Sequence, residues 1–396
     1  MNLSNWLEAT WQNGWPTANG YTYDDLVKMK EAGITSIRLP ICFEEITDTL
    51  APYTVDVNHP LFARVDTVIS WCIDLQMALI IDNHHQWNIV NQNWRAQTDR
   101  FAHLWSVVAQ RYSYLNTEQF TFELLNEPSF GIHIDSMNAV FNQAIDTIRK
   151  YAPNHSLIVG PNFSSTGQAF ANLTPLPDTN LIYTFHCYDP YQFTHQGFSW
   201  AQPSMPLGTS FPSPYDAMLN NAWKQVVLWK QTYNLPVFLG EFGAGELADD
   251  ASRCRWMQYM GAKIDSFNIP WFYWDWRWDF SLFNSHVVSN DSVVPCFRSA
   301  LHLYGDSSTF NSIINVSEEE LPVTLYPNPT SGGVCEVRCP LTDEATLTVY
   351  DAAGRKLREE KFYQQYLLLT ENLQRGIYFI RIVVNDKAVV KKMAVE

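Results

Sequence analysis

Short apolar runs alternate with amphipathic stretches eight times before about residue 305, and this alternation constrains the fold more than any other feature of the chain. Repeated βα units of this kind are typical of a parallel sheet covered by helices. Eight units predict a closed (β/α)8 barrel, the TIM barrel, which needs about 250 residues. The predicted strands are Met1–Asn5, Ser36–Leu39, Met77–Asp82, Phe120–Leu125, Leu157–Val159, Leu181–Phe185, Val237–Gly240 and Pro270–Tyr273.

The amphipathic stretches between these strands predict the helices of the barrel. They are Tyr23–Ala32, Leu61–Leu75, Gln97–Tyr112, Asp135–Tyr151, Tyr215–Tyr233 and Ala251–Phe267. The barrel is therefore predicted to span residues 1–305.

The composition changes after Tyr304, where a polar stretch leads into the acidic run Glu318–Glu320. Residues 306–320 are predicted to be a linker. Residues 321–396 contain short alternating strands between turn residues and no helical pattern, which predicts a small all-β, immunoglobulin-like sandwich. Its predicted strands are Ala345–Tyr350, Ile377–Val384 and Ala388–Val395.

Composition excludes several classes of partner. The formal net charge of −15 would repel nucleic acid over most of the surface, and no window of 18 apolar residues predicts a membrane span. The first residues lack the charged and apolar regions of a signal peptide. A total of 15 Trp, 19 Tyr and 23 Phe is more aromatic surface than a core usually needs, and sugar rings stack on such faces. A neutral polysaccharide thus remains an allowed partner. The protein is predicted to be a monomer.

Polar or aromatic residues stand at the carboxyl ends of six predicted strands. In a βα barrel these ends meet at one face, which holds the active site. The residues are Arg38, His84, His85, Asn126, Glu127, His186, Tyr188, Glu241 and Trp274. A common site at this face is predicted, however far apart its residues lie in sequence.

Two glutamates dominate this set, Glu127 in FELLNEP and Glu241 in VFLGEFG. Hydrolysis of a glycosidic bond needs one carboxyl group to protonate the leaving oxygen and a second to attack the sugar or activate water. A single glutamate at a strand end is more often a salt-bridge partner, but two of them near Arg38 favour a glycosidase. An ion pair with Arg38 would lower the pKa of a carboxylate nucleophile. Glu123, earlier in the same strand, is predicted to be a structural partner.

The adjacent residues His84 and His85 suggest a metal site, but their expected orientation on a strand is unsuitable for binding one ion. Neighbouring side chains on a strand point to opposite faces, and no third ligand of suitable spacing is present. We therefore predict no metal and no cofactor.

With these motifs the first domain resembles glycoside hydrolase family 5, the large cellulase family of retaining (β/α)8 enzymes. NEP around Glu127 is similar to the acid/base motif of that family, and GEFG around Glu241 is similar to its nucleophile motif. The resemblance implies that Glu127 is the general acid/base and Glu241 the nucleophile. It also implies that Arg38 lies beneath the nucleophile and that His186 and Tyr188 orient the carboxylates.

The same resemblance implies a set of substrate contacts. Trp274 in FYWDW matches a tryptophan that stacks on the sugar at the −1 subsite, and FTHQGFSW resembles a loop of cellulases that often also accept mannan. The substrate-binding residues are predicted to be Asn5, Glu8, Arg38, His84, His85, Asn126, His186, Tyr188, His195, Trp200 and Trp274.

The C-terminal segment resembles the sorting domain of the type IX secretion system. LYPNPTSG, VYDAAGR, RGIYFIRI and KKMAVE follow one another over residues 325–396 in the order of that domain. The alternative is a carbohydrate-binding sandwich, which the few aromatic residues on the predicted strands disfavour. The resemblance implies a partner in the secretion machinery and a secreted or cell-surface protein.

The predicted activity is that of a retaining endo-β-1,4-glucanase acting on cellulose or a related β-glucan. An endo-β-mannanase or mixed-linkage β-glucanase is the alternative, because the strand-end residues handle one sugar and say little about the others. A non-catalytic polysaccharide-binding protein is a more distant alternative, since such proteins usually lack one of the two glutamates.

Overall fold

The computed structural model describes residues 1–9, 20–86, 93–128, 134–162, 165–283, 293–303, 323–330, 333–339, 343–351, 356–370, 373–385 and 387–395. The chain forms two compact units, Met1–Ile314 and Asn315–Glu396. The predicted linker at 306–320 lies outside the described residues, so the domain boundaries stay a prediction.

The first unit is built around six parallel strands that neighbour one another in chain order. They are β1 (Ser36–Ile41), β2 (Ala78–Asn83), β3 (Phe120–Glu123), β4 (Leu157–Val159), β5 (Leu181–Cys187) and β6 (Val237–Phe242). These strands correspond to the second to seventh predicted strands. Nearly every residue in them is buried, because a parallel sheet in this class of fold is covered on both faces.

The two remaining predicted strands close the barrel through single bridges rather than regular ladders. Asn2 forms a parallel bridge with Arg38 of β1, and Trp271 forms one with Leu239 of β6. The Asn2 N–H also donates to the Tyr273 carbonyl at 3.1 Å, which joins the first segment to the eighth. The prediction of a (β/α)8 barrel is therefore confirmed.

Six of the helices on the outside of the barrel agree with the predicted ones within three residues at each end. The eight described are α1 (Tyr23–Glu31), α2 (Pro60–Asp74), α3 (Trp94–Tyr112), α4 (Ile134–Arg149), α5 (Tyr191–Thr194), α6 (Asp216–Tyr233), α7 (Asp250–Phe267) and α8 (Pro295–Ala300). Local chemistry sets several boundaries. Thr22 and Asp25 form a reciprocal capping box at the start of α1, and left-handed Asn234 and Asn268 end α6 and α7.

The short helices α5 and α8 were not predicted, because one or two turns leave too few residues to show a helical period. A disulfide between Cys254 and Cys296 joins α7 to α8. Among the helices within the described ranges, none is both long enough and apolar enough to span a bilayer.

The second unit contains seven antiparallel strands in the order β13-β12-β9-β10-β11-β8-β7. They are β7 (Thr324–Tyr326), β8 (Val334–Arg338), β9 (Glu344–Asp351), β10 (Lys356–Tyr363), β11 (Gln365–Leu369), β12 (Gly376–Val384) and β13 (Lys387–Val395). Strands β10 and β11 meet at only one residue pair, so the sheet folds there into a four-stranded and a three-stranded layer.

Apolar residues from both layers of the second unit fill one core. Val337 lies on β8, Leu347 on β9, Ile380 on β12 and Met393 on β13, and all four are fully buried. The predicted all-β sandwich is confirmed, although only β9, β12 and β13 were predicted. Strand β10 was missed because the charged run in KLREEKFY has no apolar alternation.

Candidate active site

A single buried cation organises the carboxyl ends of the strands. The Arg38 side chain is fully buried, and its Nε and Nη2 donate to the two oxygens of Glu123 at 2.6 and 2.9 Å. Its Nη1 donates to Glu241 Oε1 at 2.7 Å, and Nη2 lies 3.0 Å from Asp82 Oδ2 and 2.8 Å from Asn126 Oδ1. Three carboxylates thus share one guanidinium, which offsets their loss of solvation. Glu123 is a structural partner, as its place within β3 predicted.

Glu241 lies near the end of β6 and is almost completely buried. Besides the bond from Arg38, its Oε2 accepts the Tyr188 hydroxyl at 2.9 Å. Burial raises the pKa of Glu241 to about 7, against the opposing effects of His186 and Arg38. The Arg38 effect on this pKa has the direction expected from the sequence, but burial outweighs it. The glycine before Glu241 is required by space, because a Cβ on Gly240 would lie 2.4 Å from Thr184 Oγ1.

Glu127 follows β3 and faces Glu241 across His186. His186 Nδ1 lies 2.8 Å from Glu127 Oε1 and 3.6 Å from Glu241 Oε2. About a third of the Glu127 side chain is exposed, 34%, so a ligand can reach it from solvent. Its backbone φ of 38° is in the left-handed region, which a non-glycine residue adopts only when its surroundings hold it there.

Burial sets the protonation states on this side of the site. It raises the pKa of Glu127 to about 7, with Arg38 acting in the opposite direction, and lowers the pKa of His186 to about 4. His186 is therefore neutral near pH 7. A neutral imidazole can donate from Nδ1 to ionised Glu127 or accept a proton from the neutral acid, so it can hold Glu127 in either state.

The other strand-end histidine is fixed by the residues around it. His84 Nδ1 lies 2.6 Å from Asp82 Oδ2, and its Nε2 is 3.4 Å from Asn126 Nδ2. The His84 ring stacks on Trp274 with centroids 5.6 Å apart, and His85 meets its edge at 4.8 Å. Burial lowers the pKa of both histidines, His85 to about 2, so both rings are neutral.

Trp274 and Trp200 line one cleft together with Asn5, and the cleft has a volume of about 370 Å³. Trp200 is 51% exposed, whereas His195 is buried and stacks on Tyr191 with centroids 4.0 Å apart. The structure therefore brings the predicted contacts Asn5, Trp200 and Trp274 to one surface.

Glu8 occupies a different kind of position. Its carboxylate accepts the backbone N–H of Asn5 and, at 3.1 Å, that of Trp6. Burial raises the Glu8 pKa to about 8. In this structure Glu8 shapes the turn that presents Asn5.

Several residues of the site were not predicted. Asp82 ends the apolar run of β2 next to His84, so the strand-end rule could have identified it. Asn2 could not be found in this way: its side chain accepts from Arg38 Nη1 at 2.9 Å and donates to the Gly240 carbonyl at 3.1 Å, contacts that exist only once the barrel closes.

One group of side chains in the described ranges has the spacing of a metal site. Ligand atoms of Glu127, His186 and Glu241 lie within 4.8 Å of one another. Their contacts with each other, with Arg38 and with Tyr188 account for this spacing without an ion. The absence of a metal stays a prediction.

Replacing Arg38 with methionine is expected to reduce the free energy of unfolding by about 3 to 5 kcal/mol, because buried Asp82, Glu123 and Glu241 would lose their common cation. Urea unfolding at pH 7 measures the loss, which should shrink at lower pH as the carboxylates are protonated. Arg111→Met is the control, since its ion pair with Asp66 is partly exposed and contributes less than about 1 kcal/mol. Equal losses in the two variants would contradict the importance of the buried network.

Comparison with known proteins shows which family the chain belongs to. A family model for cellulase, glycosyl hydrolase family 5, matches residues 5–279. A model for a secretion system C-terminal sorting domain matches residues 324–396.

Individual relatives agree with the first of these matches. The chain is 30% identical over 260 residues to Endoglucanase H of Acetivibrio thermocellus, covering 65% of this chain but only 27% of that protein. A hyperthermophilic endo-β-1,4-glucanase solved in complex with substrate is 28% identical with a TM-score of 0.69, covering 76% of this chain and 96% of that one. Thermotoga maritima Cel5A in complex with mannotriose is 27% identical with a TM-score of 0.68, over 76% and 96% of the two chains.

Proposed function

Because the chain belongs to the cellulase family of glycosyl hydrolases, family 5, we propose that it hydrolyses β-glucan with retention of configuration, using Glu127 as general acid/base and Glu241 as nucleophile. One observation carries the mechanism: carboxylate oxygens of the two glutamates lie within 4.8 Å of each other. Retaining glycosidases separate these groups by about 5 to 5.5 Å, whereas inverting ones need about 6.5 to 9.5 Å to seat a water between them.

The hydrogen bonds around each carboxylate support this division of roles. Glu241 receives a charged donor from Arg38 and a hydroxyl from Tyr188, and both favour its ionised form. Glu127 contacts only the neutral imidazole of His186 at hydrogen-bonding distance among its described partners. Of the two carboxyl groups, Glu127 is therefore proposed to hold the proton that the reaction needs.

The reaction then proceeds in two displacements. Glu241 attacks the anomeric carbon while the Glu127 proton passes to the leaving oxygen, which breaks the glycosidic bond and forms a glycosyl ester. Ester formation removes the charge of Glu241, so Glu127, now ionised, can deprotonate the incoming water. Attack of this water releases the sugar and restores both carboxyl groups to their initial states.

The remaining predicted residues are proposed to bind the sugars around the scissile bond. Trp274, backed by His84, is proposed to stack on the −1 sugar, with Asn126 beside it. The other proposed substrate contacts are Asn5, Glu8, His85, His195 and Trp200.

Cellulose or a related β-1,4-glucan is proposed as the substrate, in line with the endoglucanases that the chain resembles. An endo-β-mannanase or mixed-linkage β-glucanase is the second candidate. Mannan is included among the test substrates because one relative was solved in complex with mannotriose. Initial rates on carboxymethyl cellulose, barley β-glucan, glucomannan and mannan decide between them. Release of no reducing sugar from any of these would favour a non-catalytic binding protein.

The stereochemistry has its own test. Proton NMR of the first product from a β-linked oligosaccharide should show the β-anomer before mutarotation. An initial α-anomer would overturn the two-displacement mechanism.

The rate constant kcat/KM is expected to fall above about pH 7, because Glu127, whose pKa burial raises to about 7, then loses the proton that the leaving oxygen needs. The raised pKa extends the protonated form toward neutral pH, so the loss lies on the alkaline side. A series of initial rates over the stable pH range measures it. For an aryl cellobioside with a good leaving group, the fall in kcat/KM above about pH 7 should be absent in Glu127→Ala. If the fall remains in this variant, another residue is responsible for it.

The C-terminal sandwich is proposed to act in export rather than hydrolysis, with the secretion machinery as its partner and a secreted or cell-surface monomer as the product. A chain ended at Asp306 is expected to retain its specific activity, because the residues of the site all belong to the first unit. A loss beyond about tenfold, with circular dichroism showing a folded barrel, would contradict independence of the two units.

A further inference from the structure

The half-exposed Trp200 is held in place by a carboxylate from another loop. Its indole Nε1 donates to Asp279 Oδ2 at 2.7 Å. The backbone around Asp279 is itself anchored, since its carbonyl accepts the Glu246 N–H at 2.9 Å. The Trp200 ring stacks on Phe198 with centroids 5.1 Å apart, and the hydrogen bond fixes the polar edge of the half-exposed indole.

The two partners of this bond line the 370 Å³ cleft that also contains Trp274. Phe280 also lines this cleft, and its ring centroid lies 6.1 Å from that of Trp200 and 5.2 Å from that of His195. Three tryptophans, Trp200, Trp274 and Trp278, therefore border a space that is large enough for sugar units.

The charge in this cleft is entirely negative. Its described lining includes the carboxylates Asp275 and Asp279 and contains no lysine or arginine. Asp275 is buried, and its oxygens accept the Ser4 hydroxyl and the backbone N–H of Trp278. Nearby Arg277 directs its guanidinium toward Asp25, at 3.6 Å, and over the Tyr21 ring. Asp279 is thus the partly exposed charge that a ligand would meet.

We propose that Asp279 is a specificity-determining residue, which positions Trp200 as one wall of a sugar subsite and makes that subsite select uncharged glucan over chains that carry carboxylates. A neutral sugar can donate hydroxyl hydrogen bonds to the Asp279 carboxylate, whereas an anionic substituent meets the like charge of Asp279 in a described lining without lysine or arginine. The inference rests on the proposed hydrolysis of β-glucan and adds to it the class of substituent that the cleft rejects.

The proposal is tested with two soluble polymers that carry similar bulk but differ in charge, hydroxyethyl cellulose and carboxymethyl cellulose. Asp279→Asn keeps an oxygen that can accept the Trp200 N–H and removes the charge. The ratio of kcat/KM on hydroxyethyl cellulose to that on carboxymethyl cellulose is expected to fall about five- to tenfold in this variant, the effect of one like charge at close range.

Glu118→Gln is the matched control. It removes the same charge from an exposed residue just before β3, at the opposite end of the strand from the site, and should leave the ratio unchanged. Raising the salt from about 0.01 to about 0.5 M should lower the wild-type ratio more than that of Asp279→Asn, because only the wild type has this charge to screen. An unchanged ratio in Asp279→Asn, or an equal fall in Glu118→Gln, would overturn the proposal.

A second comparison tests the positioning of Trp200. Asp279→Ala removes both charge and acceptor, so its KM for cellohexaose should exceed that of Asp279→Asn. In a Trp200→Phe background, which lacks the indole N–H, the KM difference between the two substitutions should shrink to the part that comes from direct contact of residue 279 with the sugar. A difference of undiminished size in that background would refute positioning through Trp200. Absence of wild-type hydrolysis on both polymers would instead refute the proposed function itself.

Discussion

Glu241→Ala is expected to lower kcat on β-glucan on the order of 10⁴-fold or more, because it removes the group proposed to form the covalent intermediate. Glu241 is the carboxylate that Arg38 and Tyr188 hold at 2.7 and 2.9 Å. The alanine variant also removes a buried charge from the Arg38 network, so folding is checked by circular dichroism and urea unfolding before kinetics are compared. Glu45→Ala, at an exposed glutamate, is the control and should retain activity.

Azide separates a lost nucleophile from a general loss of structure. The small anion can occupy the space of the missing carboxylate and attack an activated β-cellobioside from the same side as Glu241 would. A single displacement inverts configuration, so the product should be the α-glycosyl azide. Formation of the β-azide by this variant would show that the two roles have been assigned the wrong way round.

Glu127→Ala is expected to lower kcat/KM on β-glucan by about 10² to 10⁴-fold, the usual contribution of a general acid. The loss should be much smaller for an aryl cellobioside with a good leaving group, since that group departs without a proton. Glu127 is the more exposed of the two carboxylates, so its replacement by alanine disturbs packing less than replacement of Glu241.

The second step gives a further readout for Glu127→Ala. Without a base to activate water, the glycosyl ester should break down slowly, and azide should accelerate turnover and yield the β-glycosyl azide. Equal losses on polysaccharide and activated substrate, together with no response to azide, would contradict the acid/base role.

The neutral imidazole of His186 bears on the proposed roles of both Glu127 and Glu241. It lies 2.8 Å from Glu127 and 3.6 Å from Glu241, between two carboxyl groups that need opposite protonation states. A protonated histidine here would favour ionisation of both glutamates and remove the acid. Burial lowers its pKa to about 4, which keeps the pair able to hold one proton near neutral pH.

Part of this site could be predicted from the sequence because the position of an active site in a βα barrel follows from the geometry of the fold. Parallel strands all present their carboxyl ends at one face, so Arg38, Glu127, His186 and Glu241 could be assigned to a common surface from their positions after apolar runs. Sequence periodicity likewise located six helices within three residues, since burial of one helical face is recorded directly in the spacing of apolar residues.

Periodicity failed where burial is not the dominant constraint. The charged strand β10 has no apolar alternation, and helices α5 and α8 are too short to show a period. The Cys254–Cys296 disulfide depends on where α7 and α8 lie side by side, which no local pattern records.

The sequence by itself determined that this chain forms a barrel and a sandwich, and that two glutamates reach one face of the barrel. Only the tertiary structure decided how the charges are shared there, because the contacts of Arg38 come from segments up to 203 residues apart. Asn2 and the Asp279–Trp200 bond belong to the same class. Each contact joins segments that lie far apart in sequence and meet only when the whole barrel closes. A hydrogen bond requires placement to within a few tenths of an ångström, which local sequence preferences do not encode.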